Sequence, residues 1–129
     1  MIEIIDKVVR DCEDEGNVKV RISVIGFRDH AYYNRYCVQP FATDVQNAKS
    51  FIMSLSAEGA CGNDFPEDVL GGLKLCLQQD WTVDGNKKVF LIGDAPCHGT
   101  QYHELGTGGD EFSDGCPNGL VLEELMKEF

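Results

Sequence analysis

The feature that most constrains the fold is a run of four apolar residues, Val89-Phe90-Leu91-Ile92, which ends directly at Gly93-Asp94. A short continuous apolar run of this kind is typical of a central strand in a parallel sheet, because such a strand is covered on both faces. Ligands of open α/β sheets bind beyond the carboxyl ends of the strands. The run therefore predicts an α/β fold, with Asp94 at the edge where a site is expected.

Strand and helix patterns alternate along the rest of the chain, which predicts helices packed on a mostly parallel sheet. Residues Val18 to Phe27 alternate as in a strand, and Tyr36–Phe41 predicts a shorter strand that its proline confines to an edge or an end. The glycine-rich stretch 95–116 has no periodicity, which is typical of a functional loop. Helices are predicted from Ile2 to Cys12, from Thr43 with Gln46 as a capping box, from Pro66, and over Leu120–Phe129.

The composition excludes several classes of partner. The 129 residues suffice for one domain, and 11 basic against 22 acidic side chains give a net charge of −11. Such a surface repels nucleic acids and anionic membranes, whereas it suits divalent cations or basic proteins. No apolar run is long enough to cross a bilayer. Six cysteines fall short of a disulfide scaffold, which favours free thiols and a cytoplasmic location, with an extracellular one as the alternative.

Carboxylates cluster in three segments that should meet at the edge marked by Asp94. Asp64 and Glu67 stand at the entrance of the third predicted helix, and Asp29 follows the first predicted strand. Oxygen ligands of this kind suit Mg²⁺ or Ca²⁺. A structural alternative stays open, because Asp64 and Glu67 have the spacing of a capping box and Asp94 could cap the following loop.

Four segments resemble von Willebrand factor A (vWA) domains. Residues 89–99 (VFLIGDAPCHG) are similar to the strand and loop that carry a metal-site aspartate, and residues 62–73 (GNDFPEDVLGGL) are similar to the second metal loop. Residues 25–30 and 110–115 resemble the alpha-kinase-type and hemicentin-like subgroup. The resemblance spans residues 1–129 and implies a partial vWA domain. Its fold would be a three-layer, Rossmann-like sandwich with a mostly parallel sheet and one antiparallel edge strand.

The resemblance also implies a function for particular residues. It predicts a protein–protein interaction module, and not an enzyme, with a metal-ion-dependent adhesion site formed by Asp94, Glu67 and Asp64. The ion would be Mg²⁺, or else Ca²⁺ or Mn²⁺, and a protein ligand could supply a further carboxylate. The binding rim would be formed by Asp29, His30 and His98.

One departure from the family pattern bears on the metal site. The principal metal motif of the family, Asp-x-Ser-x-Ser, is absent from this sequence, and Met1 matches a position inside the first helix of the family. The resemblance therefore implies an incomplete domain that binds metal weakly and folds poorly alone. Two alternatives follow, namely a metal-independent vWA-like scaffold and a regulatory fragment of an alpha-type protein kinase.

Three other motifs carry competing interpretations. Cys97 with His98 and His103 could act as a nucleophile and base, although no third orienting group is evident. The same three residues with Cys116 offer zinc ligands, but their spacing matches no common zinc pattern. Residues 107–109 (TGG) lack the lysine of a phosphate-binding loop, so they predict a turn.

Overall fold

The computed structural model describes residues 1–14, 16, 18–56 and 64–129. Within these residues no helix is both long and apolar enough to cross a membrane. In chain order the elements are α1 (Ile2–Asp14), β1 (Ile22–Phe27), β2 (Tyr36–Ala42), α2 (Val45–Ser54), α3 (Val69–Leu77), a 3₁₀ turn (Thr107–Gly109) and α4 (Leu122–Glu128).

Contacts between residues close in sequence support α1 and the start of α2. Lys7 and Asp11, four residues apart in α1, form an exposed ion pair of 2.9 Å. The N-cap of α2 is Asp44, whose Oδ1 accepts a hydrogen bond from the Gln46 amide at 2.9 Å. The capping box predicted at Thr43 is therefore wrong by one residue, because the aspartate that follows supplies the cap.

The predicted three-layer sandwich with a mostly parallel sheet is wrong. The described residues form one two-stranded antiparallel sheet, in which β1 pairs with β2. The edge strand predicted at Tyr36–Phe41 is confirmed as β2, but the strand predicted from Val18 begins only at Ile22. The short connection between the two strands predicts that β2 pairs antiparallel with its predecessor β1, and this pairing is confirmed. The error lies in the parallel neighbour expected at residues 89–92, because such pairing depends on which backbone lies alongside.

The apolar run at residues 89–92 is the main reason for that error. It forms no strand, and its four side chains are between 43% and 56% exposed. A parallel strand requires a neighbour that takes its backbone hydrogen bonds and helices that cover its faces. Within the described residues no strand lies beside this run, so it does not join a sheet with β1 as predicted.

The chain divides into two compact units, and each has its own packing. The first comprises Met1–Val24, Val38–Ser56 and Gln79–Ile92, where α1 packs on α2 and an ion pair joins Lys49 to Asp6. The second comprises Ile25–Cys37, 64–78 and Gly93–Phe129. Its core is formed where α3 meets α4, by Val69, Leu70, Leu73 and Leu125. This second unit holds all the candidate site residues.

Candidate functional site: a buried histidine–carboxylate cluster

Three loops of the second unit carry the polar side chains of the site. Asp29 and His30 follow β1, Asp64 to Asp68 precede α3, and the third loop extends from residue 94 to residue 112. The Glu67 amide donates to the Pro96 carbonyl oxygen at 2.9 Å, and Glu67 forms an isolated parallel bridge with Cys97. These backbone contacts bring the second and third loops together although they are distant in sequence.

Asp110 organises the third loop. Its Oδ1 accepts hydrogen bonds from His98 Nδ1 at 2.7 Å and the Phe112 amide at 2.8 Å, and its Oδ2 accepts from the Gly99 amide at 2.7 Å and His103 Nε2 at 2.8 Å. Burial by itself would raise the pKa of Asp110, but these donors lower it to about 2. The buried carboxylate is therefore ionised at neutral pH, and it fixes the loop around itself.

His98 connects Asp110 to the loop after β1. Its Nε2 lies 2.8 Å from Asp29 Oδ1, so both ring nitrogens face carboxylate oxygens. Burial would lower the pKa of His98, but the hydrogen bonds to Asp110 and Asp29 raise it above 6.5. A ring that donates from both nitrogens is an imidazolium. The two aspartates therefore favour the charged form of His98.

Asp68 is the centre of a second hydrogen-bond set and the N-cap of α3. Its Oδ1 accepts from the Gly71 amide at 2.9 Å, while its Oδ2 accepts from the Tyr36 hydroxyl and from Arg35 at 3.2 Å. Burial and the bond to Asp68 raise the pKa of Tyr36 to about 12. Since Asp68 caps the helix, the capping box considered for Asp64 and Glu67 is wrong.

Asp64 and Glu67 are left with carboxylate oxygens that no described residue satisfies. Asp64 Oδ2 accepts from the Glu111 amide at 2.7 Å, but the buried atoms Asp64 Oδ1 and Glu67 Oε2 have no hydrogen-bond partner among the described residues. The same holds for Asp29 Oδ2. Burial first, and then the charges of Asp29 and Asp94, raise the pKa of Glu67. Three carboxylates of this unit thus present unpaired, buried oxygens.

The structure separates the residues that the sequence predicted to act together. Asp29, Asp64, Glu67 and His98 lie in one neighbourhood, whereas Asp94 is exposed and acts on Glu67 only through its charge. His30 faces the other set, with its Nε2 3.4 Å from Asp68 Oδ1. Of the predicted rim, Asp29 and His98 are therefore buried constituents of the cluster.

The predicted nucleophile and base do not fit this geometry. Burial raises the pKa of the Cys97 thiol, which disfavours the reactive thiolate. His98 has no free ring nitrogen to accept a proton, because both face aspartates. His103 in turn is engaged with Asp110. These two histidines therefore contribute to structure in the described cluster.

Sequence reasoning missed the roles of Asp68 and Asp110. Asp110 lies in the segment 110–115 that resembles vWA domains, and its carboxylate accepts a hydrogen bond from the Phe112 amide two residues later, which is a common arrangement for aspartate in loops. Asp68 directly precedes the apolar residues of α3, which is the normal position of an N-cap. Nothing in the sequence indicates the contact of Tyr36 with Asp68, because a tyrosine at the first residue of a strand predicts no particular partner.

No protein-family profile matches the chain, and no solved structure does. Among curated proteins, the chain is similar to the alpha-protein kinase vwkA of Dictyostelium discoideum, with 36% identity over 95 residues. The matched region is 74% of this chain but 14% of that protein. The chain therefore corresponds to a small part of a relative that is named as a kinase.

Proposed function

We propose that this chain is a protein-interaction module, not an enzyme by itself, that binds Mg²⁺, Ca²⁺ or Mn²⁺ through buried carboxylates. The observation that carries the proposal is the set of unpaired buried oxygens, Asp29 Oδ2, Asp64 Oδ1 and Glu67 Oε2. An unpaired buried polar atom is costly, and ionised carboxylates are the usual ligands of hard cations. A cation would offset this cost, which makes these three residues the proposed ligands.

The donor set fits such an ion in chemistry and in charge. All three candidate ligands are carboxylates, and Asp94 adds a fourth negative charge nearby. His98 offsets one of these charges and holds Asp29 by its other oxygen. The bound ion would supply a positive charge on which a carboxylate of a protein partner could bind, as the resemblance to vWA domains implies. The ligands implied by the resemblance carry over for Asp64 and Glu67, whereas Asp29 replaces the exposed Asp94 in the proposed set. The sheet implied by the resemblance does not carry over.

A metal-independent role has support of its own. Asp29 and Asp64 each have an internal partner on one oxygen, namely His98 and the Glu111 amide. Such bonds fix the loops without any ion. The similarity to part of vwkA supports a regulatory segment attached to an alpha-type protein kinase as the setting for either role.

Calorimetric titration of the chain with Mg²⁺, Ca²⁺ and Mn²⁺ tests the proposal. We expect saturable binding that Asp64→Asn and Glu67→Gln weaken by at least about tenfold, because each removes one ligand. The exposed Asp114 gives a matched control, since Asp114→Asn removes the same charge elsewhere in the unit. Equal binding by all variants would refute the metal site, and binding of no ion by the folded wild type would favour the metal-independent scaffold.

A further inference from the structure

A second group of potential metal ligands shares no residue with the proposed hard-cation set. It consists of His30, Asp68 and Cys116, whose ligand atoms lie within 4.8 Å of one another. All three belong to the same compact unit. A nitrogen, a sulfur and an oxygen together are typical ligands of zinc, whereas hard cations prefer oxygen alone.

The His30 ring provides the observation that separates this group from an ordinary polar cluster. Its Nε2 is buried without a hydrogen-bond partner among the described residues, and its side chain is only 6% exposed. Burial lowers the pKa of His30 below 6.5, with the charge of Asp68 opposing that shift. The buried, unpaired ring nitrogen is an atom that could bind a metal ion.

The distance between two of the three ligand atoms also fits a tetrahedral ion. His30 Nε2 and Asp68 Oδ1 are 3.4 Å apart without the geometry of a hydrogen bond. Two zinc ligands at about 2.0–2.1 Å from the ion, at a tetrahedral angle, lie about 3.3 Å apart. Asp68 Oδ1 accepts only from the Gly71 amide among the described residues, so its second lone pair is available.

The other histidine–carboxylate group of this unit shows the contrast. Asp64, His98 and Asp110 also bring ligand atoms within 4.8 Å. Both nitrogens of His98, however, already face aspartate oxygens at 2.7 and 2.8 Å. That ring has no lone pair to offer, so the group is a hydrogen-bonded network and not a second soft-metal site.

We propose that His30, Asp68 and Cys116 bind Zn²⁺ as three protein ligands, which leaves one tetrahedral position for water. Binding releases the thiol proton of Cys116, and the thiolate and Asp68 balance the two charges of the ion. Arg35 stays paired with Asp68 Oδ2, the oxygen that does not face His30. The zinc site goes beyond the proposed hard-cation function, because it shares no ligand with the set Asp29, Asp64 and Glu67.

Titration of the full chain with Zn²⁺ against a chromogenic chelator, and with Co²⁺ as a spectroscopic probe, tests the site. We expect one equivalent of bound metal and a sulfur-to-cobalt charge-transfer band. Cys116→Ser should abolish the band, and Cys116→Ser and His30→Gln should each weaken Zn²⁺ binding by at least about tenfold. Cys12→Ser, a free thiol in the other unit, is the control and should change neither.

Two outcomes would overturn the proposal. One is zinc affinity that Cys116→Ser and His30→Gln leave unchanged while circular dichroism shows the variants folded. The other is a loss of the cobalt band in Cys12→Ser. The hard-cation proposal is tested separately, because Glu67→Gln should weaken Mg²⁺ or Ca²⁺ binding and leave zinc affinity intact, whereas Cys116→Ser should do the reverse.

Discussion

Replacing Asp110 by asparagine removes one charge from the centre of the third loop and keeps the shape of the side chain. In the wild type each carboxylate oxygen accepts two hydrogen bonds, from His98 and Phe112 on one side and from Gly99 and His103 on the other. The amide group of asparagine can accept on one side only. On the other side its own N–H₂ group faces two donors, so two buried bonds are lost.

The magnitude follows from the lowered pKa of the carboxyl group. A change from 3.8 to about 2 corresponds to about 2 kcal/mol in favour of the ionised form in the folded state. Each buried donor that loses its acceptor costs roughly 1–3 kcal/mol. Part of this cost is already contained in the lowered pKa, because the same hydrogen bonds cause that shift. We therefore expect Asp110→Asn to lower the free energy of unfolding by about 3–4 kcal/mol, a large part of the about 5–15 kcal/mol typical of a domain.

The assay is urea unfolding followed by circular dichroism between pH 7 and pH 2, with Asp114→Asn as the control of equal charge. Because the folded-state pKa of Asp110 is lowered, its contribution is complete above about pH 4 and is lost as the pH falls towards 2. The difference between wild type and Asp110→Asn should therefore shrink in that window. The reasoning is refuted if Asp110→Asn matches Asp114→Asn within about 0.5 kcal/mol at pH 7, or if the difference persists unchanged at pH 2.

Three further predictions concern the same unit. A Cβ at Gly71 would lie 2.6 Å from Asp68 Oδ2, so Gly71→Ala should destabilise by about 1–3 kcal/mol, whereas Gly108→Ala, with open space around it, should cost far less in thermal melts. Because the pKa of His98 is raised in the folded state, its stabilisation is present below pH 6.5 and is lost as the pH rises through the folded-state pKa. The urea midpoint of the wild type should therefore fall over that rise in pH, whereas the midpoint of His98→Gln should stay flat. Leu70 is fully buried, and Leu70→Ala should cost about 2–5 kcal/mol in the same urea assay; a loss below about 1 kcal/mol would contradict the core assignment.

The sequence by itself determined the local elements of this protein. Helical spacing located α1, α2, α3 and α4 to within a few residues, since one apolar face is a property of the segment alone. Strand alternation likewise located β2. The acidic residues before α3 and after β1 likewise predict a site, because residue type and spacing are visible in the chain.

Only the tertiary structure decided what those elements contact. The apolar run at 89–92 has the composition of a buried strand, yet burial depends on a neighbour that composition does not specify. Asp68 and not Asp64 caps α3, a choice between nearby carboxylates that spacing left open. The pairing of His98 with Asp29 and Asp110 spans 69 and 12 residues. Contacts at such separations depend on the path of the loops, and local periodicity carries no information about that path.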